Sequence, residues 1–271
     1  MKWRTQKSQA ASPAETTRFQ GHRGGEIVMH RALAHFRLGP MNLATSSALL
    51  VLFSAIWLRM LPRICEFWRE FFDLVLPLLP LHARVDVAER QFGFLHLNIP
   101  YLRMTAMLPT LATWSITCLV TLLLYAATYL LPKMLTPVTY LARGILIIQT
   151  SALVFFALWP VSFPHTPDQY MEALVTAILA LISVVPSLYA LTYYIFDFGL
   201  WKKALLTSIT MAHLTLFLPL QVLLQALVLQ KTVLFMPVLY IVCGMLTNVL
   251  LIIAFYSWGM TWSFRSPGAS R

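Results

Sequence analysis

Residues 233–258 read VLFMPVLYIVCGMLTNVLLIIAFYSW, a run of 26 positions without a charged side chain. A helix rises 1.5 Å per residue, so about 20 apolar residues cross the roughly 30 Å hydrocarbon core of a bilayer. The run is long enough to span with room for tilt. It makes a membrane, rather than water, the solvent against which the rest of the chain is read.

Similar runs recur upstream, at about 200–229, 167–196, 142–163, 105–131 and 43–61. The first ends at Arg59 and Pro62, and the second is bounded by Arg103 and by Pro132 and Lys133. Composition agrees. Hydrophobic residues make up 59% of the chain and charged ones 11%, against about 45–50% and about 25% in soluble domains. The expected fold is all-α: a polytopic membrane protein with a bundle of about six transmembrane helices. It divides into a disordered basic cytoplasmic arm (1–40), a six-span domain (41–262) with an outer loop at 62–104, and a short cytoplasmic tail (263–271).

The net charge of +10 is concentrated before the first span. Lys2, Arg4, Lys7, Arg18, Arg23, Arg31 and Arg37 are opposed there only by Glu15 and Glu26. Cytoplasmic loops carry the excess of Lys and Arg, so the N-terminus is expected inside. Lys133, Arg143, Lys202, Lys203, Arg265 and Arg271 then also fall inside, and the short outer loops hold only Lys231. The long outer loop, with Arg59 at the end of the preceding span, departs from the bias through Arg63, Arg69, Arg84, Arg90 and Arg103. The expected location is a cell inner membrane, with both termini cytoplasmic. A mitochondrial presequence is disfavoured by Glu15 and Glu26, and a cleaved signal peptide by the distance of the first apolar run from Met1. No nucleic-acid partner is expected, because the basic residues lack an accompanying aromatic stacking pattern.

Within the outer loop, Ile64, Phe67, Trp68, Phe71 and Phe72 fall on one helical face, opposite Arg63, Glu66, Glu70 and Asp73. This pattern predicts an interfacial amphipathic helix whose apolar face is a candidate partner-binding surface. Pro77 and Pro80 stop it. The stretch 84–103 alternates locally, which fits either a small hairpin or a loop re-entering the interface.

No Asp or Glu lies near the middle of a predicted span, which weighs against proton-coupled transport and intramembrane aspartyl chemistry. His213 is the one ionisable side chain near mid-span. It shares a helical face with Thr210, Phe217, Gln221 and, less closely, Gln225, and Pro219 frees a backbone carbonyl in the same span. Thr210, His213, Gln221 and Gln225 are therefore the candidate substrate lane. The competing reading is a histidine bonded to a neighbouring helix. A metal or haem ligand lacks a second histidine at comparable depth.

Thr110, Thr113, Thr117 and Thr121, and likewise Thr176, Ala180, Ser183 and Ser187, form small-residue ridges of the kind that let membrane helices approach closely. The alternative to packing is a hydroxyl-lined conduit, and Gln149, Thr150, Ser151 and Asn248 are available to either network. His165, Asp168 and Glu172 resemble a metal cluster, but Thr166 as N-cap, Pro167 at the first helical position and Gln169 in a capping box explain the segment as a helix start.

Cys65, Cys118 and Cys243 are isolated, without metal-ligand spacing. No GxSxG, HExxH, Walker or dinucleotide motif is present, and Asp197-Phe198-Gly199 is a chance match to a kinase element. No catalytic residue, metal or cofactor is expected, and the balance is against an enzyme. The expected function is a non-catalytic membrane subunit or assembly component of a cell-envelope complex, in contact with the lipid bilayer and with membrane or periplasmic proteins. The alternative is a permease or channel for a neutral or weakly polar small molecule. A lipid-acting enzyme using His165 and Asp168 ranks behind both.

Overall fold

The computed structural model describes residues 40–92, 95–195 and 199–262. The expected basic arm and the C-terminal tail lie outside the described residues. Among the described residues the chain is mostly helical, and five helices there are long and apolar enough to cross a membrane. In order, the elements are α1 (Pro40–Val75), β1 (Ala83–Phe92), β2 (Leu95–Met104), α2 (Leu111–Ala127), α3 (Thr136–Leu158), α4 (Pro167–Ile195) and α5 (Leu200–Leu229). The last helix, α6, runs from Met236–Val238 through a π-helical stretch, Leu239–Leu246, into Thr247–Thr261.

Two boundaries differ from the sequence expectation. The first span and the segment read as a separate interfacial helix form one 36-residue helix, with Pro62 inside it. Proline removes one helical hydrogen bond and crowds the carbonyl four residues earlier, but Trp57, Leu61, Cys65, Trp68 and Phe72 anchor α1 in the core on both sides of Pro62. At about 54 Å, α1 is longer than the hydrocarbon is thick. The second expected span shrinks to the 17 residues of α2, shorter than the other five. Thr110 caps it, accepting from Thr113 N, and residues 105–110 serve instead as the link from β2.

The alternation at 84–103 resolves as an antiparallel hairpin, with Ala83 opposite Met104 and Phe92 opposite Leu95. Strand β2 buries Leu97, Ile99 and Leu102 against α1 and α4. Leu97 and Ile99 alternate with exposed His96 and Asn98, and Leu102 and Met104 flank exposed Arg103, two period-2 runs of a half-buried strand whose phase shifts at Pro100 and Tyr101.

Helices α4 and α5 form the centre of the bundle. They run antiparallel, as shown by Tyr189 meeting Thr210 at 2.9 Å near one end and Tyr170 donating to Gln225 near the other. Helix α1 crosses this pair. The indole of Trp57 donates to Ser183 Oγ at 2.8 Å and that of Trp68 to the Thr215 carbonyl at 3.0 Å. In the α4–α5 register Ser183 and Thr215 stand at nearly the same height, yet the two tryptophans are separated by about 16 Å of helix rise. Helix α1 therefore passes obliquely over the pair, across the small-residue ridge of α4 that contains Ser183.

Candidate functional site

The polar residues of the bundle gather where the helical backbone is interrupted. In hydrocarbon every backbone N–H and C=O has to be satisfied by protein, so each interruption demands a side-chain partner. Pro219 has no N–H and leaves the carbonyl of Thr215, four residues earlier, without its helical donor. The Trp68 indole supplies that donor. The π-helical stretch of α6 displaces carbonyls from their usual i+4 donors. Gln221 Nε2 donates to the carbonyls of Cys243 and Gly244, and Asn248 Nδ2 donates to Gln221 Oε1 at 3.0 Å and to the Gly244 carbonyl. At the ends of helices, Lys203 Nζ donates to the Tyr193 carbonyl at 3.1 Å and Lys202 Nζ to the Trp262 carbonyl at 2.8 Å. Two adjacent lysines thus serve the C-terminal carbonyls of α4 and α6, where the helix dipole favours a cation.

The four residues expected to form a lane are distributed by this chemistry. Thr210 is buried, donating to the Leu206 carbonyl and meeting the Tyr189 hydroxyl. Gln221 is joined to α6, and Gln225 accepts from the Tyr170 hydroxyl. His213 is set apart from them, half-buried between the rings of Phe217 and Phe255. The threonines of α2 bond within their own helix, Thr117 to the Thr113 carbonyl and Thr121 to the Thr117 carbonyl. Some buried polar atoms have no partner among the described residues: both amide ends of Gln149, Gln225 Nε2, Asn248 Oδ1, Thr176 Oγ1 and Ser46 Oγ.

The second polar region lies at the N-terminal end of α4. Thr166 and Gln169 exchange side-chain-to-backbone hydrogen bonds at 3.2 Å each, the reciprocal capping box expected there. Asp168 accepts from Met104 N at 2.8 Å and stands 3.7 Å from Arg103. Glu172 pairs with Arg90. The two carboxylates of α4 thus hold the hairpin, while His165 lies edge-on to Phe163. Within the hairpin, Asp86 accepts from Val87 N at 2.9 Å and is 3.3 Å from both Tyr101 and Arg103. The Val87 N–H above all, aided by Tyr101 and Arg103 against partial burial, holds its carboxyl below the ordinary aspartate value.

Between the hairpin and the middle of α1 is a cleft of about 490 Å³ whose walls include Cys65, Glu66, Arg69, Glu89, His96 and Asn98. Cys65 is buried at its base. Glu66, Arg69, Glu89 and His96 are exposed, and their side chains make no ion pair or hydrogen bond among the described residues. Of the residues expected to bind a partner, Trp68 and Phe72 are fully buried in the chain's own core, Ile64 and Phe71 are partly buried against it, and Phe67 is 44% exposed. The charged face of α1, not its aromatic face, lines the cleft.

Comparison with protein-family models, curated proteins and solved structures finds no match.

Proposed function

We propose that the chain is a non-catalytic membrane subunit, an assembly or scaffold component of a cell-envelope complex. It lies in a cell inner membrane with both termini cytoplasmic, and it receives a partner protein at the cleft between α1 and the hairpin. One contrast carries the reading: the polar side chains inside the bundle are mostly engaged in completing its backbone, whereas unpaired charges of both signs converge on a cavity outside it. An ionic surface of this kind suits specific docking, since charge complementarity selects partners and speeds their encounter. The hairpin that walls the cleft is held by Asp168 and Glu172, so the surface is preformed.

The test is tagged purification in mild detergent, with native size analysis and mass spectrometry. A stoichiometric partner that is lost on Glu66→Lys with Glu89→Lys, but retained on Gln221→Ala, is the expected result. Isolation of the chain without any partner, or a partner indifferent to the charge reversal, rejects this function.

A permease or channel for a neutral solute is the second reading. In its favour are the buried amide atoms of Gln149, Gln225 and Asn248 that lack partners. Uptake by proteoliposomes that is abolished by Gln149→Leu would place it first.

A further inference from the structure

One unsatisfied group in the membrane-spanning helices is ionisable and sits at mid-span. His213 is the fourteenth of the 30 residues of α5. Either end of the helix is about 20 Å away, beyond the reach of an imidazole. The ring stacks on Phe217 with centroids 5.7 Å apart and tilts against Phe255 at 4.9 Å. Among the described residues neither ring nitrogen has a hydrogen-bond partner.

A neutral imidazole presents one donor and one acceptor. The face of a phenylalanine offers a weak site for the N–H and nothing for the bare nitrogen. Hydrocarbon offers neither, and polar side chains at this depth persist where another group meets them. The partner therefore lies outside the described residues, at the same depth, and carries an acceptor or a donor.

A second copy of the chain meets these conditions. Two copies inserted in the same orientation can be related by a twofold axis only along the bilayer normal, which sets identical residues opposite each other at equal depth. A neutral imidazole is complementary to itself, because the N–H of one ring donates to the bare nitrogen of the other. The pair shares one N–H···N bond; the N–H left over on the accepting ring lies within reach of a Phe255 ring, and the bare nitrogen left over on the donating ring gains no partner from the pairing. The surrounding surface suits close approach: Ser208 and Ala212 on α5 and Ala254 and Ser257 on α6 are small and exposed, beside exposed Leu216 and Leu220. We propose that the chain pairs with a second copy of itself through α5 and α6, with His213 of each copy hydrogen-bonded to His213 of the other about a twofold axis along the bilayer normal. This interface is separate from the cleft between α1 and the hairpin, so either can fail without the other.

The experiment is photobleaching step-counting of the labelled full-length chain in phosphatidylethanolamine–phosphatidylglycerol liposomes, over a dilution series in protein per lipid. The wild-type chain is expected to pass from dimer to monomer on dilution. His213→Phe keeps a ring and removes both nitrogens, and it is expected to weaken pairing by roughly 3- to 20-fold. His213→Asn restores a donor and an acceptor and is expected to retain pairing. Leu220→Trp, on the same face, blocks pairing by bulk, whereas Leu124→Trp on α2 leaves it unchanged. An unaltered thermal midpoint of the monomeric variants separates loss of pairing from misfolding. A wild-type chain that is monomeric at every density overturns the proposal. So does a dimer unmoved by both His213→Phe and Leu220→Trp.

Discussion

The indole N–H of Trp68 donates to the backbone carbonyl of Thr215, and Thr215 stands four residues before Pro219. The carbonyl that Trp68 serves is therefore the one that Pro219 deprives of a helical donor. A residue of α1 completes the backbone of α5 across 147 positions of sequence. The same contact explains why an aromatic residue of a segment with an amphipathic, surface-seeking pattern is fully buried.

Trp68→Phe keeps most of the apolar volume and removes the donor, leaving the Thr215 carbonyl unpaired in the interior. The expected loss is about 1–3 kcal/mol of stability, read from reversible denaturation in detergent. Adding Pro219→Ala to Trp68→Phe returns an N–H to that carbonyl and should recover part of the loss. A double-mutant cycle in which the two changes are additive would show that the carbonyl is not what couples them.

Gln221→Leu withdraws the donor from the Cys243 and Gly244 carbonyls and the acceptor from Asn248. It is expected to destabilise by about 1–3 kcal/mol. Gln225→Met combined with Tyr170→Phe removes both partners of one buried bond together with the unpartnered Gln225 Nε2. That pair of changes should be nearly neutral. The comparison needs only the two thermal midpoints measured side by side.

Gly259 and Gly244 lie where leucine side chains of α5 and α4, Leu206 and Leu174, press against α6. A Cβ at Gly259 would meet Leu206 Cδ2 at 2.4 Å and its Cγ at 3.2 Å. Gly259→Ala should therefore cost about 1–3 kcal/mol through overpacking, and Leu206→Ala in the same chain should relieve part of it. If Gly259→Ala leaves the thermal midpoint unchanged, α5 and α6 are not packed this closely.

Asp86 gives the hairpin a defined acid response. Its folded carboxyl titrates below the ordinary value of 3.8, so its bonds to Val87, Tyr101 and Arg103 contribute fully above that value. The contribution is lost as the pH falls through the lowered folded value. Amide-exchange protection of β1 is expected to hold down to the ordinary aspartate value and then to decline. In Asp86→Asn the part of that decline due to Asp86 should disappear.

Arg90→Ala is expected to cost only about 0–1 kcal/mol, because its pair with Glu172 is partly exposed. Asp168→Ala should loosen the hairpin more, since it also frees Met104 N and its contact with Arg103. Limited proteolysis at the hairpin, compared between the two variants, measures the order.

Much was legible in the sequence because its cause is local. Long uncharged runs specify membrane-spanning helices through the energetics of hydrocarbon, and Thr166, Pro167 and Gln169 specify where α4 begins through the geometry of one helical turn. Alternation at 84–103 carried the hairpin as one of two options, and the Ser183 ridge of α4 was recognisable as a packing surface. Other features were decided only by tertiary structure, because each depends on which element arrives opposite. Pro219 announces a free carbonyl, but nothing near it in sequence names Trp68 as the donor. Gln221 looks like part of a polar lane until α6 adopts a π-helical stretch whose carbonyls need it. Likewise Ile64, Phe67, Trp68, Phe71 and Phe72 form the apolar stripe of an amphipathic helix in any context. The oblique crossing of α1 over α4 and α5 divides that stripe between core and surface, because burial is a property of the neighbour as much as of the residue.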